Sequence, residues 1–286
     1  MISKEYIENS LIPSYIENII QRLTWLKTGE GVREKIYDSF KGFFMNLAIC
    51  KMILEHDQSE IKLLLSYAAM VYDRRLTIEG ETYLSLQNLM YLSFSENQSI
   101  LNRLSQKSNI DLSKDTNGWL GEIQAFYNII DGDWKALSAT TQHLRNINGA
   151  YHKLFFPEIH FKLYKGFIKQ DQVLIEQSIN ELILENKKVN RRESIPEEKY
   201  VSFGVLSYVK QAYKYGMPIW KSINIETLHD YLIPQGWLDY TPLSEYTISL
   251  KFLRDFYRRQ NIDWRYAPIY PELQDWENDP ENPLYL

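Results

Sequence analysis

Several histidines and acids of this chain are spaced as metal ligands could be. The dipeptides His56-Asp57 and His229-Asp230 occur in helical metal-dependent phosphohydrolases, which need a further His before the pair and an Asp after it. No His precedes His56 in the sequence, so we expect Asp57 to cap a helix rather than bind a metal. Glu226-x-x-His229 has di-iron spacing, but such a site needs a second copy and two more glutamates.

The other chemical motifs are also weak. Asp131-Gly132-Asp133 could chelate a cation, but Gly and an Asp N-cap are expected at a turn between two helices, where we place it. Thr28-Gly29-Glu30-Gly31 lacks the Lys-Ser/Thr of a phosphate loop. We expect His143, His152 and His160 to be ordinary surface or core residues. The sequence therefore predicts no catalytic, metal-binding or cofactor-binding residue, and we expect no enzyme.

The single cysteine, Cys50, lies in an apolar run and allows no intramolecular disulfide, which fits a reducing compartment. We expect it to be a buried small apolar residue. The one basic cluster, Lys187-Lys188-Val189-Asn190-Arg191-Arg192, falls between two predicted helices. Bases at the end of a helix complement its dipole, so this cluster is predicted to be a solvated loop.

The charge is concentrated at the C-terminal end. The whole chain of 286 residues has a net charge of −5, and residues 261–286 contain six acids and one base. That segment therefore carries the entire net charge, and residues 1–260 are neutral overall. Because nucleic-acid binding needs a basic face, this distribution argues against it.

The sequence shows no targeting or membrane-spanning pattern. The N-terminus has no basic region followed by an apolar stretch, so no signal peptide is predicted. A transmembrane helix needs about 18 consecutive apolar residues, and no run approaches that length. We expect a cytoplasmic protein.

Helical periodicity is present along most of the chain, with almost no strand alternation. Over Ile61–Tyr72 the apolar positions surround the helix, which predicts a central, buried helix. Asp57 and Glu60 form a plausible capping box before it. Two later helices are predicted by similar signals. One begins at the capping box Ser194-Ile195-Pro196-Glu197, runs through Tyr215 and ends at Gly216. The other begins at Thr241-Pro242 and runs to about Arg259.

A weak internal repeat runs through the middle of the chain. Phe126–Leu137 and Tyr164–Ile175 are 38 residues apart, and Asp133 aligns with Asp171. Tyr91–Asn97 is a third candidate, whose Asn97 lies 36 residues before Asp133. Each has an apolar helix, a polar break, an Asp or Asn N-cap and a second amphipathic helix. This predicts an all-α fold of stacked antiparallel helical hairpins, tetratricopeptide-like but irregular.

The C-terminal section differs in composition. Six of the ten prolines lie beyond residue 230, and residues 261–286 are rich in Pro, Asp, Asn, Trp and Tyr. Such a composition is typical of an irregular segment, and its aromatic residues favour packing against a helical body. We therefore predict one helical domain over residues 1–260 and an acidic, aromatic C-terminal tail over residues 261–286.

One pattern resembles a known family. An apolar helix over Phe203–Tyr215 ends at Gly216 and is followed by an apolar link and Leu232-Ile233-Pro234, downstream of the Ile130–Trp134 hairpin. Over about residues 120–240 this arrangement resembles the immunity protein 49 family of bacterial polymorphic-toxin systems. The resemblance implies an all-helical antidote that binds and blocks one cognate toxin without a cofactor. It implies no fixed functional residues.

The acidic tail suggests where such a toxin could bind. Many toxins of these systems are cationic nucleases, and an acidic surface with aromatic anchors would attract and hold one. The candidate partner-binding residues are Glu272, Asp275, Trp276, Glu277 and Asp279. The alternative for this tail is that it only closes the helical core.

Two other functions stay open from the sequence. A tetratricopeptide-like adaptor or regulator, binding a protein or peptide in a concave groove, would have the same fold and a different partner. An enzyme with an unrecognised helical active site would show a deep pocket with acids or histidines of shifted pKa.

Overall fold

A computed structural model describes residues 3–28, 30, 33–54, 58–79, 86–96, 101–102, 110–147, 158–189 and 203–219. Of these residues 85% are helical and none is in a strand, which confirms the predicted all-α class. They form two compact units, one within residues 1–81 and 95–100 and the other within residues 82–94 and 101–241. The division into a domain at 1–260 and a tail at 261–286 stays a prediction, because the tail lies outside the described residues.

The first unit contains three long helices. Helix α1 begins as a short α-helix at Lys4–Tyr6, passes through a π-helical turn at Ile7–Leu11 and continues over Ile12–Thr28. Helix α2 is Arg33–Ile53 and α3 is Gln58–Glu79. Helix α2 packs on both α1 and α3.

The core of the first unit is centred on α2 and α3. Every residue from 61 to 69 is buried, which confirms the predicted central helix over these residues. Cys50 is also buried, as predicted. The predicted capping residue Asp57 lies outside the described residues.

A buried ion pair joins Lys62 on α3 to Glu96, whose side chain has no solvent exposure. Separating two buried charges is strongly destabilising, because each would stay in the core without its partner, so this contact fixes how the two segments meet.

Six helices form the second unit: α4 (Leu86–Ser93), α5 (Trp119–Asp131), α6 (Trp134–Asn146), α7 (Glu158–Lys169), α8 (Gln172–Val189) and α9 (Phe203–Lys214). Each packs on the next in chain order, and α9 packs back on α4, so the described helices form a closed ring. Residues 121–123 and 125–130 of α5 and 205–212 of α9 are all buried, which places these two helices in the core of the unit.

Two helical hairpins in this unit have the same turn. Gly132, with φ of 71°, and Gln170, with φ of 51°, both adopt the left-handed conformation. In both turns the following Asp donates its N–H to a carbonyl five residues earlier, from Asp133 to Asn128 and from Asp171 to Gly166, each at 2.9 Å. The predicted N-caps are confirmed: Asp133 accepts from the N–H of Ala136 at 2.9 Å, and Asp171 from that of Leu174 at 3.0 Å.

Two glycines allow close helix approach in the hairpins. A Cβ at Gly121 would lie 2.5 Å from Cδ2 of Leu144 on α6, and one at Gly166 would lie 2.6 Å from Cγ1 of Ile175 on α8. Such distances are shorter than real Cβ contacts, so a larger residue fits only if the neighbouring side chain or helix shifts. These glycines determine how closely the two helices of each hairpin pack.

Helix α9 ends as the sequence predicts. Gly216 has φ of 78°, and the N–H of Met217 donates to the carbonyl of Ala212 at 2.9 Å, a Schellman-type termination. Its predicted start at Ser194 lies outside the described residues, as does the helix predicted from Thr241.

Among the described helices, none is both long and apolar enough to cross a membrane.

Candidate functional site

The most unusual chemical feature of the second unit is an acid in the middle of its core. Glu122 lies in the first turn of α5, where its side chain has no exposure to solvent. It shares a helix face with Ala125, Phe126 and Ile129, at the spacing of core positions. Glu122 belongs to none of the motifs that the sequence shows, although an acid at a core position of an apolar helix is itself a signal of a buried carboxyl group.

Two tyrosines from other helices surround this carboxyl group. The hydroxyl of Tyr164 on α7 donates to Oε2 of Glu122, and it lies 3.4 Å from the hydroxyl of Tyr208 on α9. Both tyrosines are fully buried. The Tyr208 ring packs edge-on against Phe126, with ring centroids 5.2 Å apart. This acid–tyrosine cluster, Glu122, Tyr164 and Tyr208, therefore joins three helices of the ring.

Burial changes the acidity of all three groups. The pKa of Glu122 is raised from 4.5 to about 8, chiefly by burial; the hydrogen bond from Tyr164 lowers this pKa and the negative charge of Asp115 raises it. The pKa of Tyr164 and that of Tyr208 are both raised above the ordinary value, chiefly by burial and then by the charge of Glu122. Near neutral pH the favoured state of the cluster is therefore neutral.

A second buried acid lies just before α5. The carboxylate of Asp115 accepts from the N–H groups of Gly118, Leu120 and Gly121 at 2.9, 3.3 and 2.8 Å. These bonds satisfy amides around the start of the helix, as a capping side chain does. Its Oδ2 also lies 3.5 Å from Nε2 of His143 on α6. The sequence predicted His143 to be an ordinary surface or core residue. In the structure it is a half-buried base beside this acid.

The opposite end of α5 is also held by polar contacts. The carbonyl of Ile130 accepts from Nζ of Lys214 and from the hydroxyl of Tyr215, each at 2.7 Å. Trp134 packs edge-on against Tyr215 with ring centroids 4.8 Å apart. Partial burial lowers the pKa of Lys214, and the charge of Asp131 opposes that shift. These contacts join the end of α9 to the α5–α6 turn.

The residues predicted to bind the partner are not among those the structure describes. Glu272, Asp275, Trp276, Glu277 and Asp279 all lie outside the described ranges.

The same holds for most of the dismissed metal motifs: His56, Asp57, Glu226, His229 and Asp230 are outside these ranges. In the described part of the chain, no three His, Cys, Asp or Glu side chains come close enough to hold a metal ion. Asp131, Gly132 and Asp133 form a helix-to-helix turn, where Gly132 ends α5 and Asp133 caps α6.

Comparisons with known proteins found no matching family model, no matching curated protein and no matching solved structure. The resemblance to the immunity protein 49 family therefore rests on the sequence pattern alone.

Proposed function

We propose that this chain is an immunity protein that binds and neutralises a cognate bacterial effector toxin through a protein–protein interface. The observation that supports it best is the pair of matching hairpins, α5–α6 and α7–α8, packed on each other through α6 and α7. Stacked helical hairpins build broad surfaces that bind other proteins without any chemistry of their own. The resemblance of residues 120–240 to the immunity protein 49 family is the reason for proposing a toxin as the partner.

The proposal separates the scaffold from the binding surface. The buried polar groups, such as Glu122 and Asp115, bond to groups inside the second unit, so their contribution is to the shape of the scaffold. The acidic C-terminal segment supplies the charge, since it carries the whole net charge of the chain. Complementary charge accelerates the encounter with a cationic partner, and buried aromatic residues slow its release.

The test pairs the chain with the product of the adjacent upstream gene, expressed in the same cells. We expect that product to stop growth when expressed alone, growth to resume when both are expressed, and the two proteins to purify as a stoichiometric complex. An upstream product that is harmless, or that does not bind, would contradict the immunity proposal. Specific binding of several unrelated proteins would instead support the adaptor.

The binding surface is tested separately by charge reversal. In the complex, Asp275→Lys, Glu277→Lys and Asp279→Lys together should weaken binding and reduce its dependence on salt, because the proposed attraction between charges is screened by dissolved ions. A matched control reverses three exposed acids of α1, listed as Glu5→Lys, Glu8→Lys and Glu17→Lys. Equal affinity and salt dependence in both triple variants would exclude the tail as the interface while leaving the toxin-binding function intact.

A further inference from the structure

The acid–tyrosine cluster holds a carboxyl group that bonds to no basic side chain among the described residues. Oε2 of Glu122 accepts from Tyr164, and its other oxygen, Oε1, makes no hydrogen bond within the described part of the chain. An ionised carboxylate normally attracts several donors or a cation when it is buried, since an uncompensated charge in the core is very costly. A neutral carboxyl group needs far fewer hydrogen-bond partners. An environment with one bond, from Tyr164, therefore suits the neutral form.

The groups facing Glu122 from the neighbouring segments favour the neutral form. Helices α7 and α9 contribute Tyr164 and Tyr208, which are neutral. His160 of α7 packs against the ring of Tyr164, with centroids 6.3 Å apart, and the buried Lys210 of α9 lies over the ring of Phe94. The loop before α5 contributes Asp115, an acid that repels a second negative charge. On α6 the nearest base, His143, lies against Asp115. Helix α4 contains no acidic or basic residue.

We propose that the second unit contains a proton-controlled lock, in which the neutral carboxyl group of Glu122 joins α5 to α7 and α9, and loss of its proton loosens this packing. The lock is a property of the scaffold and does not depend on the identity of the partner. It would make the second unit most tightly packed in mildly acidic solution and progressively looser as the pH rises.

The pH range follows from linkage. In the unfolded chain the pKa of Glu122 returns to its ordinary value of 4.5, whereas in the folded protein it is about 8. Between these values the folded state holds a proton that the unfolded state has lost, so stability falls as the pH rises. The unfolding equilibrium constant should increase up to about tenfold per pH unit in this range. Above about pH 8 both states are ionised and this contribution becomes constant.

The test compares urea unfolding of the full chain and of Glu122→Gln between pH 5 and pH 9, with the tryptophan and tyrosine fluorescence as the signal. The glutamine keeps the size of the side chain and cannot ionise. We expect the unfolding constant of the wild-type protein to rise with pH, relative to that of Glu122→Gln, until about pH 8. The control Glu158→Gln removes an exposed acid of the same unit and should follow the wild-type profile.

Parallel pH profiles for the wild-type protein and Glu122→Gln would overturn the proposal. If Glu122→Gln does not fold, the wild-type protein carries a second test. In a protein labelled with carbon-13 at the glutamate carboxyl carbons, nuclear magnetic resonance should show one carbon titrating near pH 8 while exposed glutamates titrate at acidic pH. If every glutamate carbon titrates in the acidic range, Glu122 is ionised at neutral pH and the lock does not exist.

Discussion

Asp133 and Asp171, 38 residues apart in the sequence, occupy equivalent positions in two hairpins of the second unit. Each caps the helix that follows by accepting from the N–H three residues on, and each donates its own N–H to a carbonyl five residues earlier. Because the two turns share this bonding pattern, we expect them to respond alike to the same substitution.

Replacing either aspartate by alanine removes one side-chain bond to an otherwise unpaired helix amide. We expect Asp133→Ala and Asp171→Ala each to lower the free energy of unfolding by about 1 kcal/mol, with Asn replacements costing less. Urea unfolding measures both. A negligible loss in either alanine variant would mean that water replaces the cap at that turn.

The same turns differ at the left-handed position, which is Gly132 in one and Gln170 in the other. A side chain is strained in this conformation, so Gln170→Gly should stabilise the protein by about 1 kcal/mol. Gly132→Ala should destabilise it by more than about 1 kcal/mol, because the new Cβ would also lie 3.0 Å from the ring of Tyr215. Thermal unfolding of the two variants should shift in opposite directions, and shifts of the same sign would contradict this account.

Close helix packing predicts a contrast among glycines. Gly121→Ala and Gly166→Ala should each cost about 1–3 kcal/mol, because both place a Cβ against a neighbouring helix. The matched control is Gly42→Ala in α2, where nothing beyond the adjoining residues and backbone of the same helix lies within 4 Å of the added Cβ. There alanine should stabilise the helix by about 0.5–1 kcal/mol. Chemical denaturation of the three variants tests the contrast, and a similar effect at all three positions would disprove it.

The two hydroxyls of the acid–tyrosine cluster should differ in importance. Tyr164→Phe removes the donor to Glu122 and should cost about 1–3 kcal/mol. Tyr208→Phe should cost less, because its oxygen lies 3.4 Å from that of Tyr164, longer than an ordinary hydroxyl bond.

Tyr164→Phe should also affect the pH dependence. The hydrogen bond from Tyr164 lowers the pKa of Glu122, so its loss should raise that pKa above about 8. For an acid whose pKa is higher in the folded state, stability falls from the unfolded pKa up to the folded one, so the fall should extend to higher pH. Unfolding profiles of both phenylalanine variants measure this, and an unchanged range in Tyr164→Phe would argue against a direct bond.

The buried ion pair of the first unit predicts strong coupling. Lys62→Met leaves Glu96 charged and buried, and should destabilise the protein by about 3–5 kcal/mol. The comparison is Lys51→Met, whose partner Glu60 is 26% exposed and can be hydrated, so its cost should be smaller. Adding Glu96→Gln to Lys62→Met should restore part of the loss. No recovery in the double variant would show that the two residues act independently.

The sequence by itself determined the features that depend on neighbouring residues. It predicted the all-helical class, the buried helix over Ile61–Tyr72, the burial of Cys50 and the caps at Asp133 and Asp171. Helical periodicity, capping bonds and a terminating glycine act over three to five residues, so they can be read from local sequence. The proposed partner-binding residues and the toxin partner stay predictions.

Tertiary structure decided which distant residues meet. Glu122 bonds to Tyr164, 42 residues away, and Tyr164 lies against Tyr208, a further 44 residues along the chain. Lys62 is 34 residues from Glu96. No local pattern indicates these pairings, because they depend on which helix faces pack together. Glu122 stands at an ordinary core position of its helix, and only the assembled ring, in which Tyr164 is its hydrogen-bond partner among the described residues, makes that carboxyl group a proton-holding site.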